Sequence, residues 1–195
     1  MTIRIVKNIV IESGTSAWVC VHLFKGKGQA MKNFKNKVAA VTGAGSGIGQ
    51  QLAVLLAKEG CHLSLSDINE QGLAATVELL KPYNIRVTTQ KLDVSDRHAV
   101  KAWAEQTVQN HGSVNMIFNN AGVALGSTVE GASYEELEWI VNINFWGVVY
   151  GTKEFLPFIK QSKDGHIVNI SSLFGLIAQP LSLIYISEHT RLRRI

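Results

Sequence analysis

Val38-Ala39-Ala40-Val41-Thr42-Gly43-Ala44-Gly45-Ser46-Gly47-Ile48-Gly49 opens as a short apolar run and breaks into glycines at alternate positions. Leu52, Leu55, Leu56 and Ala57 then recur at helical spacing. The order is strand, glycine turn, helix. Glycine suits such a turn because it accepts positive φ and lets the backbone come close to a ligand. The first N–H groups of the following helix are unpaired, and with the helix dipole they favour a phosphate. The stretch therefore predicts a dinucleotide diphosphate site. Taken alone it also fits an ordinary tight strand-to-helix turn, so the rest of the chain has to decide.

Working outward, His62-Leu63-Ser64-Leu65-Ser66 alternates as a second strand, closed by Asp67. An acid about twenty residues past the glycines accepts hydrogen bonds from the adenosine ribose in dinucleotide folds and would repel a 2′-phosphate. No Lys or Arg stands at 44–46 or 68–69, which favours NAD over NADP. Asp67 could also cap the next helix. That helix is expected over Glu70–Lys81 and is broken by Pro82-Tyr83-Asn84. Arg86–Leu92 reads as strand three, followed by Asp93-Val94. Helix three starts near Ser95-Asp96, with Val100, Trp103, Ala104 and Val108 as its apolar stripe. Val114–Phe118 reads as strand four and runs into Asn119-Asn120-Ala121-Gly122. Ser133 and Glu136 form a capping-box pattern at the head of a long helix expected to reach about Phe155, with Asn144 inside it. Gly165–Ser172 reads as strand five, ending at the carboxyl edge where such sheets bind ligands.

Gly43, Gly47 and Gly49 give T-G-x-x-x-G-x-G, and N-N-A-G follows at Asn119–Gly122. Together with Asn144-x-x-Gly147 and Ser172, these motifs resemble the short-chain dehydrogenase/reductase family from about Lys37 to Pro180. The resemblance implies a doubly wound parallel α/β sheet of Rossmann type in the order 3-2-1-4-5, with two further strands in full-length members. It implies an oxidoreductase moving a hydride between NAD(P) and an alcohol or ketone, and a homo-oligomer for the complete family fold. It places Gly43, Ser46, Ile48, Asp67, Asp93, Val94, Asn120 and Gly122 around the cofactor. It gives Ser172 the task of polarising the substrate oxygen, Asn144 that of supporting a proton relay, and Tyr185 that of acid and base.

One position departs from the pattern. The family carries Tyr-x-x-x-Lys, and four residues after Tyr185 stands His189. A free tyrosine has a pKa near 10, and a neighbouring ammonium favours its phenolate. Histidine, mostly neutral at pH 7, would do this poorly. Residues 181–195 resemble the translation of a transposase sequencing adapter, and Met31 resembles a family start. The expected division is therefore an extension over 1–36, a nucleotide-binding domain over 37–180 and an atypical tail over 181–195. The alternative to an active dehydrogenase is a truncated nucleotide-binding fragment without turnover.

Composition narrows the field. Apolar residues make up 46% of the 195, as in ordinary globular domains. The net charge of +4 is an effect of the ends, since residues 38–180 carry nine Lys/Arg against thirteen Asp/Glu. Nucleic-acid binding, which needs basic residues grouped on a folded face, is not expected. Two cysteines and six scattered histidines suggest neither a disulfide framework nor a metal site. The Trp18–Phe24 run is too short to span a bilayer, so a cytoplasmic protein with a small-molecule substrate is expected.

Overall fold

The computed structural model describes residues 9–10, 16–17, 33–128, 130–162 and 164–171. Five parallel strands form its sheet: β1 (Val38–Thr42), β2 (His62–Asp67), β3 (Val87–Lys91), β4 (Met116–Asn119) and β5 (His166–Asn169). They lie in the order β3-β2-β1-β4-β5, as the sequence predicts. The register sets Val41 beside Leu65 on one side and Phe118 on the other. Helices α1 (Gly47–Lys58), α2 (Glu70–Leu80), α3 (Arg97–His111), α4 (Tyr134–Val141) and α5 (Gly147–Gln161) cover both faces.

Every residue of β1 is buried, because alternate side chains enter two separate cores. Ala39 and Val41 pack with Leu56, Leu63, Leu65 and Leu73 on the α1–α2 face. Val38 and Ala40 pack with Val100, Trp103, Ile117 and Phe155 on the α3–α5 face. The chain thus crosses from one face to the other between β1 and β4. A crevice opens at the carboxyl ends of strands at such a switch point.

In β2 the alternation has a different meaning from a solvent-facing edge. Ser64 and Ser66 are buried too. The Ser64 hydroxyl lies 2.8 Å from Thr107 Oγ1 and accepts from the Trp103 indole at 2.9 Å. The Trp103 ring meets Phe155 edge-on at 4.8 Å. Ser64 is satisfied because α3 brings an indole donor and a hydroxyl to it, whereas Ser66 Oγ is buried with no hydrogen-bond partner among the described residues.

Three expectations change. The long helix is not uniform: a π-helical segment, Asn142–Trp146, separates α4 from α5. The helix also continues past Phe155 to Gln161, with Pro157 inside it. Near the N-terminus, where Thr2–Ile11 is expected as a strand with nothing nearby to pair with it by pattern, Ile9–Val10 pairs antiparallel with Ser16–Ala17. The capping box survives intact, with Ser133 and Glu136 bonding each other's backbone N–H at 3.2 and 2.9 Å.

Candidate functional site

A cleft of about 400 Å³ lies at the carboxyl ends of β1, β2 and β4. Gly43, Ser46, Ile48, Asp67, Asp93, Val94, Asn120 and Gly122 all line it. Sequence reasoning named each of these eight, and the fold brings them together from four separate loops. Asn144 stands next to the cleft, tied to its lining residue Val123. Ser172, Tyr185 and His189 lie outside the described residues.

The glycine turn is held by Thr42 and Asn120. Thr42 Oγ1 accepts from the backbone N–H of Asn120 at 2.9 Å and of Ala121 at 3.0 Å. Asn120 Nδ2 donates to Thr42 O at 3.0 Å and Gly43 O at 3.2 Å. The two sequence motifs are thus one hydrogen-bonded unit. This packing also explains two glycines. Gly43 has φ +65°, and a Cβ there would lie 2.9 Å from Ala121 Cα. A Cβ on Gly49 would collide with Gly43 O and approach Asn120 Nδ2 to 2.6 Å.

The start of α1 differs from the starts of α2, α3 and α4. Those three are capped by the side chains of Asn69, Asp96 and Ser133. The N-cap of α1 is Ser46, whose side chain makes no capping bond. The first N–H groups of α1 have no intrahelical partner and no side-chain cap, and Gly47 and Ile48 line the cleft at the positive end of the helix dipole. Among the described residues no Lys, Arg or His lines the cleft.

Asp67 sits at the end of β2. Its Oδ2 accepts from Gly45 N at 2.8 Å and its Oδ1 from Asn69 N at 2.9 Å. It does not cap α2; Asn69 does, accepting from Gly72 N at 3.1 Å. Each carboxylate oxygen keeps a second lone pair on a side chain that lines the cleft. Asp93 folds its loop by accepting from Ser95 N and Oγ at 2.9 and 2.7 Å, and Val94 beside it is buried.

Asn144 is seated in the π segment. Its Oδ1 accepts from Val123 N at 2.9 Å and its Nδ2 donates to Val123 O at 2.8 Å. The side-chain amide thus pairs with the backbone on both edges, holding the loop after Gly122. π-Bulges recur at functional sites because one extra residue per turn re-aims the side chains around it. Asn119 joins β4 to its neighbours, donating from Nδ2 to Asn169 Oδ1 at 2.8 Å and Thr152 Oγ1 at 3.1 Å.

Sequence reasoning missed Thr42 as the organising hydroxyl and missed Ile68, Trp139 and Ile143 as cleft walls. Thr42 stood in the quoted motif, but only the return of β4 beside β1 shows what it binds. Trp139 and Ile143 are four residues apart on a helix, which puts them on one face, but nothing local says which surface that face meets. Among the described residues no cluster of His, Cys, Asp or Glu could hold a metal ion. No helix among them is long and apolar enough to cross a membrane.

A parallel sheet in this order, with a glycine turn and an uncapped helix at its switch point, defines a Rossmann-like α/β protein. The family model for short chain dehydrogenases matches residues 37–187, and the chain belongs to that oxidoreductase family. It is 49% identical over 150 residues to a Mycobacterium tuberculosis protein named "Putative oxidoreductase SadH", covering 77% of this chain and 54% of that one. It is 32% identical over 146 residues to the 3-oxoacyl-[acyl-carrier-protein] reductase FabG of Thermotoga maritima, covering 75% and 59%. Among solved structures, a Burkholderia phymatum short chain dehydrogenase/reductase in complex with NAD superposes with a TM-score of 0.76 at 38% identity, covering 80% of this chain and 56% of that one. Carveol dehydrogenase from Mycobacterium avium in complex with NAD gives 0.74 at 30% identity, covering 77% and 60%. The chain spans little more than half the length of the curated relatives it matches.

Proposed function

We propose that this chain binds NAD(H) in the cleft and exchanges a hydride between it and a small alcohol or ketone. The observation that carries the reading is the uncapped start of α1 opening into a cleft lined by all eight expected cofactor residues. The residues fit a dinucleotide. The free N–H groups at 47–49 take the diphosphate, and Asp67 takes the adenosine ribose hydroxyls. A 2′-phosphate would meet Asp67 with no cation among the described residues lining the cleft to offset it, which supports NAD over NADP. The NAD complexes of two solved relatives support the same choice.

When bound, the nicotinamide supplies the hydride acceptor or donor. The protein supplies position and proton handling. Asn120 and Gly122 shape the floor that a nicotinamide ribose would lie on. Asn144 holds the adjoining loop through Val123. Ser172 donates a hydrogen bond to the substrate oxygen, and Tyr185 passes it a proton. Both are assigned from their place in the family pattern, and the family match extends through them.

His189 favours a second reading, a chain that binds nucleotide and does not turn it over. Without an ammonium beside Tyr185 the phenol keeps its high pKa, and proton transfer at pH 7 is slow. Calorimetric titration with NAD and NADP, paired with a nicotinamide absorbance assay on secondary alcohols, separates the two. Tighter NAD than NADP binding with turnover supports the first reading. NAD binding without turnover supports the second. No binding of either dinucleotide overturns both.

A further inference from the structure

We propose that Trp139 is the clamp for the adenine base: its indole closes the apolar end of the cleft and sets how tightly the adenosine half is held. The inference rests on the dinucleotide reading above and goes further by assigning a residue that no cofactor motif contains. Six large apolar side chains stand exposed among the described residues. Singly scattered ones need no explanation. Two of these, however, line the same cleft: Ile68 at 64% exposure and Trp139 at 45%. Ile68 follows Asp67, whose carboxylate is pinned by the N–H groups of Gly45 and Asn69. Trp139 comes from α4, with Ile143 one turn on and also lining the cleft.

Leu92 and Val94, on the loop after β3, add further apolar lining to the same cleft. Gly147, at the start of α5, packs on that loop: a Cβ there would lie 2.8 Å from Val94 Cγ2. A dinucleotide has one feature that matches an apolar slot beyond a ribose-binding acid: a flat base with two apolar faces. An indole offers it a large rigid surface with few rotamers to freeze. Base–aromatic stacking is worth roughly 1–3 kcal/mol by alanine substitution, which corresponds to about 5- to 150-fold in affinity.

The test uses ADP-ribose, which carries adenine, both riboses and the diphosphate without the nicotinamide, and inorganic pyrophosphate, which carries no base. Trp139→Ala is expected to weaken ADP-ribose and NAD by the same factor, roughly tenfold or more, and to leave pyrophosphate binding unchanged. Trp139→Phe is expected to recover most of the loss. ADP-ribose should quench the tryptophan emission of the parent protein, and the quench should shrink sharply in Trp139→Phe. The thermal midpoint of both variants should stay near the parent's, because the side chain is nearly half exposed. Unchanged ADP-ribose affinity in Trp139→Ala overturns the clamp while the dinucleotide reading stands. An equal loss of pyrophosphate binding also overturns it, since the indole would then act by shaping the phosphate cradle. Failure of the parent protein to bind ADP-ribose or NAD overturns the underlying reading and the clamp with it.

Discussion

Gly49→Ala is the sharpest perturbation of the site, because the added methyl has nowhere to go. It would collide with the Gly43 carbonyl oxygen and come within 2.6 Å of Asn120 Nδ2. Both are fixed, Gly43 by its turn and Asn120 by two donated hydrogen bonds. Overpacking of this kind costs about 1–3 kcal/mol. Displacing Asn120 loses two hydrogen bonds at about 1 kcal/mol each. Alanine regains roughly 0.5–1 kcal/mol over glycine in a helix. The net expected loss is about 2–4 kcal/mol, a large part of a small domain's stability. Urea unfolding should show it as a midpoint lowered by roughly 1–2 M. Gly47→Ala is the control: its Cβ meets nothing within 4 Å, and only its φ of +52° opposes a side chain. That strain costs about 1–2 kcal/mol. NAD affinity should fall at least tenfold in Gly49→Ala, since the carbonyl and amide it displaces frame the diphosphate turn. Gly49→Ala with a midpoint equal to the parent's, or less destabilised than Gly47→Ala, would refute the packing argument.

Asp67→Ser removes the charge that opposes a 2′-phosphate but keeps a hydrogen-bonding side chain. NAD should weaken roughly tenfold and the NAD-to-NADP preference should narrow at least as much; calorimetry with both dinucleotides reads it, and an unchanged ratio refutes the role of the carboxylate. Asn144→Ala removes both bonds to Val123 and should cost about 1–2 kcal/mol. The Val123 amide should then exchange its hydrogen faster, while amides in β1 stay protected. His111 gives a pH prediction. Burial first, and then the charges of Arg86 and His62, push its pKa down to about 4 from 6.5. Its Nε2 pairs with Thr88 Oγ1 at 2.9 Å, and its Nδ1 is buried without a partner. The unfolded chain therefore takes up this proton first, and stability should fall as pH drops from about 6.5 to about 4. His111→Gln should flatten that slope in urea midpoints taken at pH 7 and pH 5; an equal slope in both proteins would refute the assignment.

The order of strands and the place of the cleft were legible because each local signal had one dominant cause. An all-apolar run at 38–41 means a strand buried on both faces, glycines at 43–49 mean backbone in close approach, and Asp67 ends a strand at the ligand edge. The break in the long helix was not legible. A π segment at Asn142–Trp146 keeps apolar residues at nearly helical spacing, so the periodicity of the chain hides it. The alternative that Asp67 caps α2 does not hold, since Asn69 is the N-cap. Asp67 and Asn69 are both good capping residues, and the choice falls to Asn69 because Gly45 N already holds the Asp67 carboxylate.

Sequence alone determined the strands and helices and supplied the motifs whose family resemblance implied the strand order and the eight residues that gather at one edge, because spacing and residue type act through the backbone nearby. Tertiary structure decided the rest. Thr42 becomes a hub only when β4 lies beside β1, Ser64 is satisfied only when α3 delivers Trp103 and Thr107, and Trp139 becomes a wall of the cleft only when the fold brings it to the same cavity as Leu92 and Val94. Each of these depends on groups 35 or more residues apart in the chain, whose meeting is set by packing the whole sheet and cannot be read from any window of it.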